Sequence, residues 1–192
     1  MNHRTKVFVV VFLFFLSIYA AVAFYDTTPK PSQRFIGFGV YSEQMTLSRY
    51  TTGLGSTVNV NQTNHWTLNI TNEMGSTQFV QIISRLGSNQ TGEPNSTSPA
   101  PPLTTSLLTN STLFVPNKNT SLQSFDWKVT AVITSGGSDY LTLNINDRSL
   151  NSTLPNPVGY PFRLFFELWT FNSSQGRFQY YTWLQVGFSV ND

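Results

Sequence analysis

The sequence predicts an all-β sandwich standing behind one N-terminal membrane helix. Three observations carry this. From Phe35 onward apolar residues recur with period two and almost never with helical spacing. Turn-forming clusters punctuate those alternating runs. The one uninterrupted apolar stretch, Val7 to Phe24, holds no charge and follows Arg4 and Lys6.

The apolar stretch comes first in the chain. Its roughly 18 residues would make a helix about 27 Å long, close to the hydrocarbon thickness of a bilayer. Residues 1–6 then read as a cytoplasmic tip, 7–24 as a signal anchor and 25–34 as a stalk, the last through the two prolines of DTTPKPSQ. The basic flank places the N-terminus inside and residues 35–192 outside the cell as a single-pass membrane protein. The alternative is secretion after cleavage near Ala23, because Tyr19 to Ala23 contains an Ala-x-Ala pattern.

Composition narrows the chemistry. The chain has 192 residues, 11 Lys and Arg, 9 Asp and Glu, and no cysteine. Disulfides and thiolate metal sites are excluded. The basic excess belongs to Arg4 and Lys6, so the outer domain is formally neutral and shows no clustered basic surface for nucleic acid. Charged residues make up only 10% of the chain, well below the usual quarter or so, which leaves solubility to Ser, Thr, Asn and Gln. Asn-x-Ser/Thr triplets occur at Asn61, Asn69, Asn89, Asn95, Asn110, Asn119, Asn151 and Asn172. Chance composition predicts about four, so these eight are candidate N-glycosylation sites.

The strands follow in order. Phe35 to Tyr41 is the first, and Val58 and Val60 lead into the clearest one, His65 to Glu73. There Trp66, Leu68 and Ile70 share one face and the sequon at Asn69 takes the other. Thr77 to Leu86 completes a hairpin. Gly87 to Thr112, rich in Ser, Thr, Asn and Pro, reads as a long surface loop. Phe125 to Ile133 and Tyr140 to Ile145 flank a Ser-Gly-Gly-Ser turn, and Asp147 to Gly159 is a second polar loop. Phe162 to Phe171 is apolar on both faces, as a central strand should be. Arg177 to Val190 closes the domain.

Seven to nine strands over this length fit an antiparallel sandwich of immunoglobulin-like arrangement. The expected core is Trp66, Leu68, Ile70, Trp127, Val129, Ile133, Leu141, Leu143, Leu164, Phe166, Leu168, Leu184, Val186 and Phe188. Three blocks, WTLNITNEMGSTQFVQIISRLG (Trp66 to Gly87), FRLFFELWTFN (Phe162 to Asn172) and FQYYTWLQVGFSV (Phe178 to Val190), resemble an archaeal family of uncharacterised membrane-anchored domains. The Asn72-Glu73 pair between two strands and the late Leu-Trp strand carry the likeness. The resemblance implies an extracellular immunoglobulin-like β-sandwich and no particular activity.

No catalytic constellation is visible, so the expectation is a non-enzyme without cofactor. The outer domain holds one histidine, His65, at the head of a strand, where a structural role outweighs a catalytic one. One histidine and no cysteine cannot make a structural zinc site. Calcium would draw on Asp139, Asp147, Asn144 and Asn146, without EF-hand spacing. Glu167, mid-strand among aromatics, is read as an ion-pair partner of Arg163 or of a neighbouring strand. The remaining candidate is an aromatic binding face: Phe165, Trp169 and Phe171 on one strand, Tyr181 and Trp183 on the next, with cover by a loop or further strand as the competing reading. The leading expectation is a glycosylated envelope domain with a structural or protein-interaction role. A carbohydrate-binding or carbohydrate-processing domain using that face is the alternative.

Overall fold

A computed structural model describes residues 12–20, 34–47, 56–95, 97–99 and 104–191. The chain divides into a unit spanning Met1–Gln33 and a second spanning Arg34–Asp192. In the first, residues 12–20 form a helix whose bulky apolar side chains, among them Phe12, Phe14, Phe15 and Leu16, are all exposed. Its serine hydroxyl, Ser17 Oγ, donates to the carbonyl of Phe14 at 2.7 Å, which satisfies it without water. No helix among the described residues is long and apolar enough to cross a membrane. The remainder of the expected anchor, residues 7–11 and 21–24, and nearly all of the stalk lie outside the described residues.

The second unit is a two-sheet sandwich of eleven strands: β1 (Ile36–Tyr41), β2 (Thr57–Asn59), β3 (Asn64–Asn72), β4 (Gln78–Gly87), β5 (Thr105–Val115), β6 (Asn119–Ser135), β7 (Ser138–Ile145), β8 (Arg148–Asn151), β9 (Asn156–Pro157), β10 (Phe162–Asn172) and β11 (Arg177–Asn191). The first sheet runs β1-β3-β6-β7-β8, with β9 also on β7; the second runs β2-β11-β10-β4-β5. All pairings are antiparallel except β2 on β11. β1, β3 and β6 against β4, β10 and β11 reproduce the immunoglobulin-like positions A, B, E and C, F, G. The chain departs from that order in one place: β7 occupies the position beside E but follows it in sequence.

Alternation puts one face of each sheet inside. Trp66 and Trp127 meet edge to face at 5.0 Å, Phe125 meets Phe166 at 5.0 Å, and Trp127 meets Phe188 at 4.9 Å. These rings tie the two sheets together across the sandwich, a geometry that adds to the area they bury. Of the expected core residues, twelve are buried and Leu184 is half-buried against them. Ile133 is the exception, 57% exposed. A bulge between Val129 and Ala131 inserts Thr130 into the ladder and reverses the parity of β6, so Val132 points inward and Ile133 outward.

The long loop is also shorter than its composition suggests. The last eight residues of Gly87 to Thr112, from Thr105 onward, belong to β5, an edge strand paired along β4. Thr and Leu favour that pairing, while the Ser, Asn and Thr residues occupy its wetter positions and disguise it as loop. Likewise the second polar loop contains β8 and β9.

The Asn72-Glu73 pair has a structural reason. Asn72 is fully buried; its amide donates to Ser76 O at 2.9 Å and Val115 O at 2.7 Å, and its Oδ1 accepts from the Met74 amide at 2.9 Å. One side chain thus holds the β3–β4 turn against the end of β5. Asn72→Ala should destabilise the domain by about 2–4 kcal/mol, since it orphans buried backbone groups, whereas Glu73→Ala should cost under about 0.5 kcal/mol. Urea midpoints of the two variants check this.

Candidate functional site: the outer face of the second sheet

The two outer faces differ in chemistry. Outward positions of the first sheet carry His65, Thr67, Asn69 and Thr71 from β3, and Thr120, Leu122, Ser124, Asp126 and Lys128 from β6, with Ile133 further along the same strand. Outward positions of the second carry Phe165, Glu167, Trp169 and Phe171 from β10, and Phe79, Ile83 and Arg85 from β4. β11 adds Phe178, Tyr180 and Trp183, and β5 adds Leu107 and Phe114.

Of the five residues expected on this face, the structure groups four. Phe165 is fully buried, Trp169 and Trp183 are half-buried, and Phe171 is 38% exposed. Tyr181 is not among them. A bulge opposite Leu168/Trp169 leaves Tyr181 without a paired residue, so Tyr180 faces Trp169 in its stead. The two rings meet edge to face at 5.5 Å. Tyr181 reaches the opposite sheet, where its hydroxyl accepts the Ile36 amide at 3.0 Å. The expected pairing of Tyr181 with Trp183 on one platform is therefore corrected by a single extra residue.

At one end the face is closed. The loop after β4 brings Thr91 and Glu93 across it, and Glu93 Oε1 accepts from Arg163 Nη1 at 3.3 Å and Gln185 Nε2 at 3.1 Å. Gly87 is required beneath this loop, because a Cβ there would strike the Phe165 ring and the Thr91 hydroxyl. Gly87→Ala should cost about 1–3 kcal/mol through overpacking, read as a lowered urea midpoint.

At the centre lies Glu167, with a fully buried side chain. The expected partner was Arg163 or a neighbouring strand; Arg163 turns to Glu93, and Arg85 of β4 takes the role. Arg85 Nε stands 3.4 Å from Glu167 Oε1 without hydrogen-bond geometry. Trp169 Nε1 donates to Glu167 Oε2 at 3.2 Å. The buried Tyr180 hydroxyl has no hydrogen-bond partner. Burial, and then the charge of Glu167, push this phenol up to about 12.

At the far end four rings form an open cluster. Phe79 stacks on Phe114 at 4.5 Å and meets Phe178 at 5.1 Å, while Phe171 meets Phe178 at 5.4 Å. Phe114 is 67% exposed. Phe79, Phe114, Phe178, Tyr180 and Arg85 were not singled out from the sequence. The outward positions of Thr77 to Leu86 were the available signal for Phe79 and Arg85; Phe114 was hidden beside the apparent loop.

The other candidates separate. His65 Nδ1 lies 2.9 Å from Asp126 Oδ1 on the solvated face, beside a cleft of about 150 Å³ lined by Thr63, Lys128, Asn144 and Asp147. Asp139 and Asp147 sit at opposite ends of β7 and share no site, with Asp139 accepting from the Thr134 hydroxyl at 2.6 Å. Among the described residues no three of His, Asp and Glu are placed to hold a metal. Of the sequon asparagines, Asn61, Asn95, Asn110, Asn119 and Asn151 are exposed, and Asn69, Asn89 and Asn172 half-buried. Asn172 Nδ2, the atom that would bear a glycan, donates to Gln179 at 3.0 Å.

Tyr180 sets a sign for alkaline behaviour. A phenol held protonated in the fold stabilises it fully below its unfolded pKa of 10.0. That contribution is lost as pH rises from 10 through about 12. Tyr180→Phe should remove this part of the alkaline slope. Glu167→Gln should lower the slowest-titrating tyrosine in an ultraviolet titration without returning it fully to 10.0.

No protein family and no curated protein matches the sequence. Among solved structures, the CARDB domain of a Pyrococcus furiosus protein, solved with di-metal ions, is 9% identical, covering 86% of this chain and 95% of its own, with a TM-score of 0.43. A β-glucosidase from Erythrobacter marinus is 5% identical over 82% of this chain and 16% of its own, with a TM-score of 0.42. One from Listeria innocua is 13% identical over 85% and 17%, with a TM-score of 0.35. This chain thus corresponds to about a sixth of each glucosidase. At such scores the likenesses transfer neither activity nor ligand, and the fold assignment rests on the strand pairing itself.

Proposed function

We propose that this chain is a non-enzymatic, membrane-anchored and N-glycosylated envelope domain that docks a protein partner through the aromatic end of its second sheet. The observation that carries this reading is the contrast between the two outer faces. Hydroxyls, amides and charges cover one, with Leu122 and Ile133 standing singly among them, while the other gathers Phe79, Phe114, Phe171 and Phe178 into one contiguous cluster. Exposed contiguous aromatic surface is costly unless something covers it.

The anchoring half of the proposal draws on the apolar stretch and on the helix over residues 12–20, whose exposed phenylalanines suit lipid. N-terminal sequencing of the mature protein should find the apolar segment retained; a start at Phe24 would overturn the anchor in favour of secretion. A sugar-binding platform ranks second. It asks for exposed, coplanar Trp169, Trp183 and Tyr181, and these are half-buried, half-buried and turned away.

Phe114→Ser with Phe171→Ser should destabilise the domain by about 1–3 kcal/mol through the loss of two aromatic contacts, read as a lowered urea midpoint, while leaving it folded by circular dichroism. The same pair should abolish crosslinking of the full chain to a neighbour in its native membrane. Unchanged crosslinking by the double variant would falsify the docking face. Binding on a glycan array that Trp183→Ala removes would transfer the assignment to sugar recognition.

A further inference from the structure

A sandwich has four strand edges, and three are visibly guarded here. β2 has three residues and covers β11 only over Ser189–Asn191, while the rest of that edge carries Arg177 and is broken by the bulge at Tyr181. β8 has four residues, too short to template another strand. β1 is met by the Tyr181 hydroxyl, which takes the Ile36 amide at 3.0 Å. β5 is different. It runs eleven residues, TSLLTNSTLFV, with no charge and no proline, and among the described residues no strand lies on its far side. Uncharged edges of that length invite pairing with a second copy. Its one obvious irregularity is a bulge near Leu108.

Asn110 is the central residue of this strand, with five strand residues on either side. It is exposed, lies on the outward side opposite Ile83, and heads the triplet Asn110-Ser111-Thr112. Gln81 Nε2 donates to its Oδ1 at 2.8 Å. That bond engages Oδ1 and not Nδ2, the atom that would bear a glycan. Asn172 shows the opposite arrangement, with Nδ2 engaged by Gln179.

We propose that Asn110 carries an N-linked glycan whose role is to keep β5 from pairing edge to edge with another copy of this chain. In the modification, Asn110 Nδ2 forms a bond to the anomeric carbon of a lipid-linked, phosphate-activated oligosaccharide. The anomeric C–O bond to phosphate breaks, the lipid phosphate leaves, and Nδ2 gives up one proton. A hydrated oligosaccharide at the middle of β5 does what a lysine does on other edges, in a strand that carries no charge of its own. The proposal rests on the reading of the chain as exported, because the modification takes place outside the cytoplasm.

The test uses the full chain in detergent, made in an N-glycosylating host, with site occupancy read by peptide mass spectrometry and mass by light scattering. Asn110 should be occupied and the wild type monomeric. Asn110→Gln and Thr112→Ala should both lose that glycan and double in mass with rising concentration. Thr112→Ser should keep both the glycan and the monomer, and Asn110→Lys should stay monomeric without a glycan. Enzymatic trimming of the folded wild type gives the same readout if a variant misfolds. Occupancy at Asn61, Asn119 or Asn151 with Asn110 bare overturns this proposal alone. Occupancy nowhere overturns it together with the export reading. A glycan-free chain that stays monomeric at every concentration overturns the shielding role.

Discussion

β10 occupies the middle of the second sheet and is apolar on both sides, so neither side can be left to water. The inward side, with Phe162, Leu164, Phe166 and Leu168 buried, meets the aromatic stack from the first sheet. Among the described residues of the sandwich, no further strand lies over the outward side. Phe165 is covered by the loop that Thr91 and Glu93 bring over it, Glu167 by Arg85 and Trp169, and Phe171 only by neighbouring phenylalanines. Cover therefore thins along one strand, from a closed end through a buried ion pair to an open aromatic cluster. The proposed docking surface is the end where internal cover runs out.

A buried ion pair at the centre of that gradient is an expensive arrangement. The desolvation of Glu167 is offset by Arg85 and the Trp169 indole, but the Arg85 Nε and Tyr180 hydroxyl remain without hydrogen bonds. Well-packed apolar residues would serve stability as well or better. What the pair adds is register: a carboxylate matched to a cation on β4 is satisfied in one alignment of the two strands and in no neighbouring one.

Three bulges decide which side chains reach which face. The insertion at Thr130 sends Ile133 outward, the one near Leu108 reverses β5, and the one at Tyr181 moves that phenol from the aromatic face to the β1 edge. Each leaves the alternation intact on either side and inverts it across a single residue. Sequence periodicity shows the two halves well and the inversion between them poorly, because a bulge is defined by its partner strand.

Strict alternation in β3 and β7, the two-sided apolar run of β10 and the turn clusters between strands were enough to determine an all-β sandwich and most of its interior, since those properties are local and additive. The central place of β10 was legible for the same reason. What tertiary structure alone decided was pairing. Arg85 rather than Arg163 answers Glu167, β5 lies where the composition reads as loop, and Phe79, Phe114, Phe171 and Phe178 from four strands become one surface. Those facts depend on which backbone hydrogen bonds join distant segments, and no single stretch of sequence carries them.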